Sequence, residues 1–323
     1  MEEKEYSLLD PMSDVVADAL LTSPGNEDML LSFINSVRRN AKVEEAVSVE
    51  VKNPFSVKDF AIEKELIMDV RATDDQDRIY DIEIQVKEHE SFNERMLNYG
   101  SDVFSSQLLR GEEYSELKPV WMIILSKFAY FLEIVKLHCI FRLLEIDNPK
   151  IAFSRFFEVH VLKIYPLLKG DFSLLSKLDP ELVAWLIFFA FGQRKDKKMS
   201  AMLDEIISQY PMIHKASEQL ERLSTSEDLR HLERRRKFFL CDKAQYIADA
   251  KKKAMAEGKA EGIVEGIAKG RIEGKAEGRV EGRVEGENLN TLKIGRNMKI
   301  DGFDTATISR ITGLSDEEIE NLS

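Results

Sequence analysis

Glycine recurs at every fourth residue from Gly258 to Gly286, in the run E-G-K-A-E-G-I-V-E-G-I-A-K-G-R-I-E-G-K-A-E-G-R-V-E-G-R-V-E-G. The run takes eight of the sixteen glycines in the 323-residue chain. A step of four residues overshoots one helical turn by about 40°. On a helix the glycines would therefore wind around the axis instead of holding one face. Each costs a helix about 1 kcal/mol relative to alanine, or about 8 kcal/mol over the eight. Many i,i+4 neighbours carry like charge, Glu277 with Glu281 and Arg279 with Arg283 among them, which weakens a helix further. The segment reads as a weakly helical spacer, with a self-associating helical stalk as the alternative. Acids nearly balance bases, which argues against a DNA-binding tail. The hydrophobic core then has to come from the roughly 250 residues before it.

Those residues alternate between helical and extended patterns. Residues 13–40 read as two helices, the first capped by Ser13 or Asp14 and the second by Asn26, with Pro24-Gly25 between them. Residues 43–57 are extended. E-K-E-L-I-M-D-V-R-A (63–72) and I-Y-D-I-E-I-Q-V-K (79–87) alternate in hydrophobicity and flank the acidic turn T-D-D-Q-D (73–77), so they read as a hairpin. A helix is expected over 90–112, then strands after Pro119 and over 137–144 and 156–164. Helices follow over 180–191, 199–208, 212–223 and 227–252, the last carrying R-R-R-K (234–237) and K-K-K (251–253). The class is α+β (mixed α/β): a central mixed sheet flanked by helices, then a helical C-terminal region. The expected divisions are a core at 1–175, a helical extension at 176–253, the repeat at 254–288 and a small helical unit at 289–323. In that unit Asp304 and Ser315 suit N-caps and Gly302 and Gly313 suit stops, giving three short helices. The last two have helix-turn-helix cadence. The final helix, however, carries Asp316, Glu317, Glu318 and Glu320, where a major-groove reader is basic or amide-rich. It reads mainly as a packing or protein-contact module.

Several function classes are disfavoured. A net charge of -12 gives no global attraction for nucleic acid, so a DNA contact would need a local basic patch or bound cations. Cys139 and Cys241 form neither a disulfide framework nor a zinc pattern and suit a reducing cytoplasm. The five histidines lack metal-ligand spacing; His138 and His160 read as packed structural residues. The first residues carry no apolar signal core. The greasy run 182–192 is shorter than the roughly 20 residues a bilayer needs and reads as a buried helix. A cytoplasmic protein with no membrane contact is expected. No G-x-S-x-G and no ordered Cys/His set supports a serine or cysteine hydrolase.

The strand 79–87 puts Ile82, Ile84 and Val86 on one face and Asp81, Glu83, Gln85 and Lys87 on the other. The plainest reading is an antiparallel strand with one face in water. The other possibility is a site, since the hairpin could bring Asp69 close to Glu83.

Asp69 followed by Glu83-x-Gln85 on a neighbouring strand resembles the PD-(D/E)XK nuclease superfamily. An ordered set of stretches resembles its Rpn family, the recombination-promoting nucleases or transposases. These are S-D-V-V-A-D-A-L-L, N-E-D-M-L-L-S-F-I-N-S-V, M-D-V-R-A-T-D, I-E-I-Q, E-R-M-L-N-Y-G-S, Q-L-L-R-G-E-E-Y-S-E-L-K-P-V, the E-G tetrads and I-S-R-I-T-G-L-S-D-E-E-I-E. The resemblance covers nearly the whole chain and implies a restriction-endonuclease-like core. It implies a DNA endonuclease using Mg²⁺, or Mn²⁺ in its place, with Asp69 and Glu83 as metal ligands. Phosphodiester hydrolysis uses such a cation to polarise the phosphate and activate water, and Mg²⁺ takes few protein oxygen ligands. Gln85 stands where many superfamily members have lysine. Asp14 corresponds to an acid on the family's first helix and completes the implied catalytic set. Lys87, Arg95 and Tyr99 are the implied phosphate contacts. The chain departs from the family just after that acid. Where F-K-K-L-F is usual it has Val15-Val16-Ala17-Asp18-Ala19, without the basic residue. DNA and a second copy of the chain are the expected partners, with a protein partner for the C-terminal unit. The competing reading is a catalytically inactive nuclease fold acting as a binding or oligomerisation module.

Overall fold

The computed structural model describes residues 7–55, 70–87 and 91–322. Two helices open the fold, α1 (Asp14–Thr22) and α2 (Glu27–Asn40). Ser13 and Asn26 hold the cap positions, but neither side chain caps. Asn26 instead donates its Nδ2 to the Leu20 carbonyl at 2.8 Å, tying the helices together. Strands β1 (Val49–Val51), β2 (Val70–Asp74) and β3 (Ile79–Gln85) follow, then α3 (Phe92–Ser105), β4 (Val120–Ser126), β5 (His138–Leu144) and β6 (Ala152–Lys163). They form one mixed sheet in the order β1-β2-β3-β4-β6-β5. The β1–β2, β2–β3 and β5–β6 pairs are antiparallel; β3–β4 and β4–β6 are parallel.

The expected hairpin is present over the described residues, with Val70 opposite Ile82 and Arg71 opposite Asp81; residues 63–69 of its expected first strand lie outside them. Its turn is tighter than the acidic run suggested, because β2 continues through Asp74. One oxygen of Asp74 accepts the N–H groups of Gln76 and Arg78, both at 2.9 Å, and so shapes the turn. The other meets Arg38 of α2 at 2.5 Å and the Tyr80 hydroxyl at 2.8 Å. Both charged side chains are fully buried. Removing either would strand the other, at about 3–5 kcal/mol. Burial, before the neighbouring Asp74 charge, pushes the Tyr80 phenol up to about 12.

Parallel strands need a crossover, and α3 supplies it between β3 and β4. It ends at Ser105, short of the expected 112. The Gln107 side chain there accepts from and donates to the Lys118 backbone at 2.7 and 3.1 Å, turning the chain toward β4. The helix lies tight on the sheet at Gly100, where an added Cβ would come within 2.5 Å of the Phe157 ring.

Both sheet faces are covered. Tyr80, Ile82 and Ile84 join Trp121, Ile123 and Leu125 in the main core with α1 and α2. That core also takes in α5 (Pro180–Phe191) and residues of α6 (Lys197–Gln209) and α7 (Pro211–Thr225), matching the helices expected there; a short α4 (Tyr165–Leu168) precedes them. The other face carries Met122, Ile124 and Val161 beneath Phe92 and Met96 of α3. This overturns the reading of 79–87 as an antiparallel strand with a wet face. β3 is an inner strand, parallel to β4 and roofed by α3, and Asp81 and Glu83 are only 0 % and 4 % exposed.

The chain divides into two compact units, Met1–Leu240 and Cys241–Ser323. Helix α8 (Glu227–Ile300) runs unbroken through the tetrad repeat, a more continuous helix than the glycine cost implied. Its first turns are anchored in the first unit by Leu229 and Leu232. Its last turns are anchored in the second, where Gly295 lies close to Leu314 and Leu322. Helix between two formed ends propagates without a fresh nucleus. Opposite charges also meet at Glu265–Lys269, 2.7 Å, and Arg283–Glu287, 3.6 Å. An added Cβ at any of the eight repeat glycines meets nothing within 4 Å. The first of the three helices expected in the tail is the end of α8, since nothing interrupts it before Gly302. Helices α9 (Thr305–Thr312) and α10 (Asp316–Glu320) complete the unit. Asp304 caps α9, Ser315 and Glu318 form a capping box, and Gly302 and Gly313 take left-handed φ of 85° and 75°. Among the described residues no helix is long and apolar enough to cross a membrane.

Candidate active site

The carboxyl ends of β3, β4 and β6 meet at one edge of the sheet, where Gln85, Ser126 and Lys163 form a rung. Such edges are where open α/β sheets bind ligands. Here Glu83 and Gln85 share the face under α3. Gln85 donates its Nε2 to Glu83 Oε2 at 2.8 Å and accepts from Arg95 Nη2 at 3.0 Å through Oε1. Reversing the amide would set an N–H group against the guanidinium, so both contacts fix its orientation. Arg95 comes from α3 and lies near the rings of Phe92 and Tyr99, 5.6 and 5.9 Å from their centroids. A carboxylate, an amide and a guanidinium are thereby held in line, two of them by strand alternation and the third by the crossover helix. Gln85 and Arg95 are partly buried.

The remaining expected residues are placed as follows. Asp69 lies outside the described residues; it and Glu83 are the next positions along the two chains after the Val70–Ile82 rung. Asp14 starts α1 and is ion-paired with Arg236 of α8 at 2.7 Å. Lys87 does not share the strand face: pairing with β4 stops at Gln85–Ser126, and Lys87 sits exposed in a bend. Tyr99 stands beside Arg95. Sequence reasoning missed two pairings. Asp81 is fully buried on the Glu83 face with Arg71 Nε 3.5 Å away; the shared parity of Asp69 and Arg71 was the available signal. The pairing of Asp14 with Arg236, 222 residues distant, left no signal in a single sequence.

Glu83 and Asp69 are hard oxygen donors of the kind a small divalent cation takes. Gln85 Oε1 already accepts from Arg95. Among the described residues no three His, Cys, Asp or Glu side chains gather as a metal-holding group.

The opposite face holds a second polar chain. Asn40 Nδ2 meets His138 Nδ1 at 2.6 Å, His138 Nε2 meets His160 Nδ1 at 2.9 Å, and His160 Nε2 faces Glu158 at 3.4 Å. Arg142 holds Glu158 at 3.0 Å. Asn40 Oδ1 accepts the Asp179 N–H, so its amide must donate to His138. Each imidazole then accepts through Nδ1 and carries its proton on Nε2. Burial first, then the neighbouring His160, pushes His138 down to about 3. Burial also lowers His160, against the opposing pull of Glu158. These are packed structural histidines, as the sequence suggested.

Comparison with protein families matched residues 11–250 to a PD-(D/E)XK nuclease family transposase. Residues 288–323 matched the C-terminal HTH domain of the Rpn/YhgA-like nuclease family. Searches of curated proteins and of solved structures each gave no match. The mixed sheet, the Glu83-x-Gln85 strand and the match over most of the chain lead to one conclusion: this chain belongs to the Rpn-type PD-(D/E)XK nuclease family transposases, with a C-terminal HTH domain.

Proposed function

We propose that the chain is a DNA endonuclease that hydrolyses phosphodiester bonds at the Glu83 end of β3, with Mg²⁺ as cofactor and Mn²⁺ as its substitute. The observation that carries this reading is the Glu83–Gln85–Arg95 chain at the carboxyl edge of the parallel strands. Glu83 and Asp69 would hold the cation. Bound there, it would polarise a phosphate oxygen and lower the pKa of an attacking water. Gln85 keeps Glu83 oriented and is itself oriented by Arg95. A lysine at position 85 would set an ammonium against that guanidinium, a like-charge contact in a partly buried place. Glutamine therefore suits this site, and Arg95 brings the positive charge that a superfamily lysine would carry. Tyr99 backs the guanidinium. The proposed setting is recombination or transposition of DNA, which agrees with the family match.

The test is incubation of supercoiled plasmid with purified full-length protein in Mg²⁺, Mn²⁺ or EDTA. Metal-dependent nicking, lost in Asp69→Ala, is the expected result. No cleavage by the unmodified chain with either metal would instead favour an inactive nuclease fold that binds or oligomerises.

A further inference from the structure

Five of the eight residues from Arg230 to Lys237 are basic, in a chain whose net charge is -12. They lie in the first turns of α8, within the first compact unit. Their local partners are unequal. Arg236 is held by Asp14. Lys237 is held by Glu233 at 2.5 Å. Arg230 donates to the carbonyls of Ser7 and Ser224. Arg234 and Arg235 are exposed, and among the described residues neither is ion-paired with a carboxylate. The inward side of these turns is taken by Leu229, Leu232 and Glu233, so packing does not call for the two arginines. Like charges at Arg230 and Arg234, one turn apart, cost the helix a few tenths of a kcal/mol. A bound polyanion would reverse that sign.

The basic turns adjoin the catalytic edge through a chain of contacts. The Gln85 carbonyl accepts from the Lys127 N–H at 2.9 Å. The Lys127 ammonium meets Asp10 at 2.7 Å. The Asp10 carbonyl accepts the N–H of Ser13, the residue that precedes α1. Asp14 then begins α1 and grips Arg236. At this edge α1 itself reads D-V-V-A-D-A-L-L-T, with two acids and no cation. A site lined with carboxylates repels a phosphate backbone unless fixed cations stand close by.

We propose that the exposed side of the first turns of α8, centred on Arg234 and Arg235, is the surface that grips the backbone of duplex DNA beside the Glu83 edge. The assignment rests on the DNA substrate proposed above. Arg236 sets the position of this surface by its bond to Asp14, and Arg234 and Arg235 contact phosphates without reading sequence.

The test measures binding of full-length Glu83→Ala protein to a 30-base-pair duplex (about three helical turns) across a salt series in EDTA. The same background is then compared with Arg234→Gln/Arg235→Gln added, and with Lys251→Gln/Lys252→Gln as a charge-matched control. Removing one cation from a phosphate should flatten the slope of log K against log salt by about 0.9. The arginine pair should therefore flatten it by about 2 and weaken binding by roughly fiftyfold near 0.1 M salt, equally for unrelated sequences. The control should change neither. Unchanged slope and affinity in the arginine variant, at unchanged helicity and Tm, would overturn the assignment; so would an equal effect in the control. Binding that needs the two arginines, in a protein that never cleaves, would sink the nuclease reading and leave this surface standing. Cleavage unaffected by their replacement would do the reverse.

Discussion

The central sheet carries one polar chain on each face, and the two have opposite characters. On the α3 face Glu83, Gln85 and Arg95 run toward the edge where β3 ends, and two of the three are partly buried. On the α1–α2 face Asn40, His138, His160 and Glu158 are enclosed among Trp121 and the main core, with the Trp121 and His160 rings 4.1 Å apart. In the enclosed chain every donor has an assigned direction, and both ends are tied to backbone or to Arg142. Polar groups that reach an edge are placed to meet a ligand, and those enclosed on all sides specify packing.

The two polar chains should differ most at Glu83. Glu83→Ala should lower metal-dependent nicking about a thousandfold, the scale of losing one charge-stabilising group, while Tm moves little. Next in size is His160→Ala. It should cost about 3 kcal/mol in urea unfolding, from a cavity and an abandoned His138 donor, and leave the nicking rate of the folded fraction unchanged.

The same histidines give a pH dependence with a definite sign. His138 stays neutral when folded, with its pKa depressed from 6.5 to about 3. Its contribution is therefore complete above pH 6.5, where the unfolded chain is also neutral. Below that the unfolded chain takes up a proton the folded one refuses, and stability declines until about pH 3, by at most about 1.4 kcal/mol per pH unit for one proton. Urea midpoints between pH 7 and 4 should fall less steeply in His138→Gln.

Smaller again is Arg95→Lys, which keeps the charge but loses the planar fork that orients Gln85. Nicking should drop about tenfold, and the unfolding midpoint should fall by no more than the roughly 1.5–3 kcal/mol that one hydrogen bond to a charged group is worth. The smallest effect lies outside the sheet. Gly270→Ala should raise helix stability by about 1 kcal/mol, read by circular dichroism on heating, and leave nicking untouched.

Strand alternation made the Glu83–Gln85 face legible in the sequence, and the Asp-rich turn made the hairpin legible. Local patterns of period two and turn chemistry leave marks within ten residues. The roof over that face did not, because nothing in I-Y-D-I-E-I-Q says whether a helix will cover it. Parallel pairing with β4 depends on a partner 41 residues away in register, Ile82 with Ile123. The same holds for Arg236 on Asp14, and for Arg38 on Asp74. Glycine propensity makes the repeat weakly helical; its continuity depends on the formed helix at both ends, which propensity does not contain.

The most direct measurement sets Glu83→Gln beside His160→Gln, recording Mg²⁺-dependent plasmid nicking and Tm for each in one series. The expected result is a crossed pattern: Glu83→Gln keeps its Tm and loses nicking, while His160→Gln loses Tm and keeps nicking per folded molecule. Nicking by Glu83→Gln at the unmodified rate would contradict the assignment of the catalytic face.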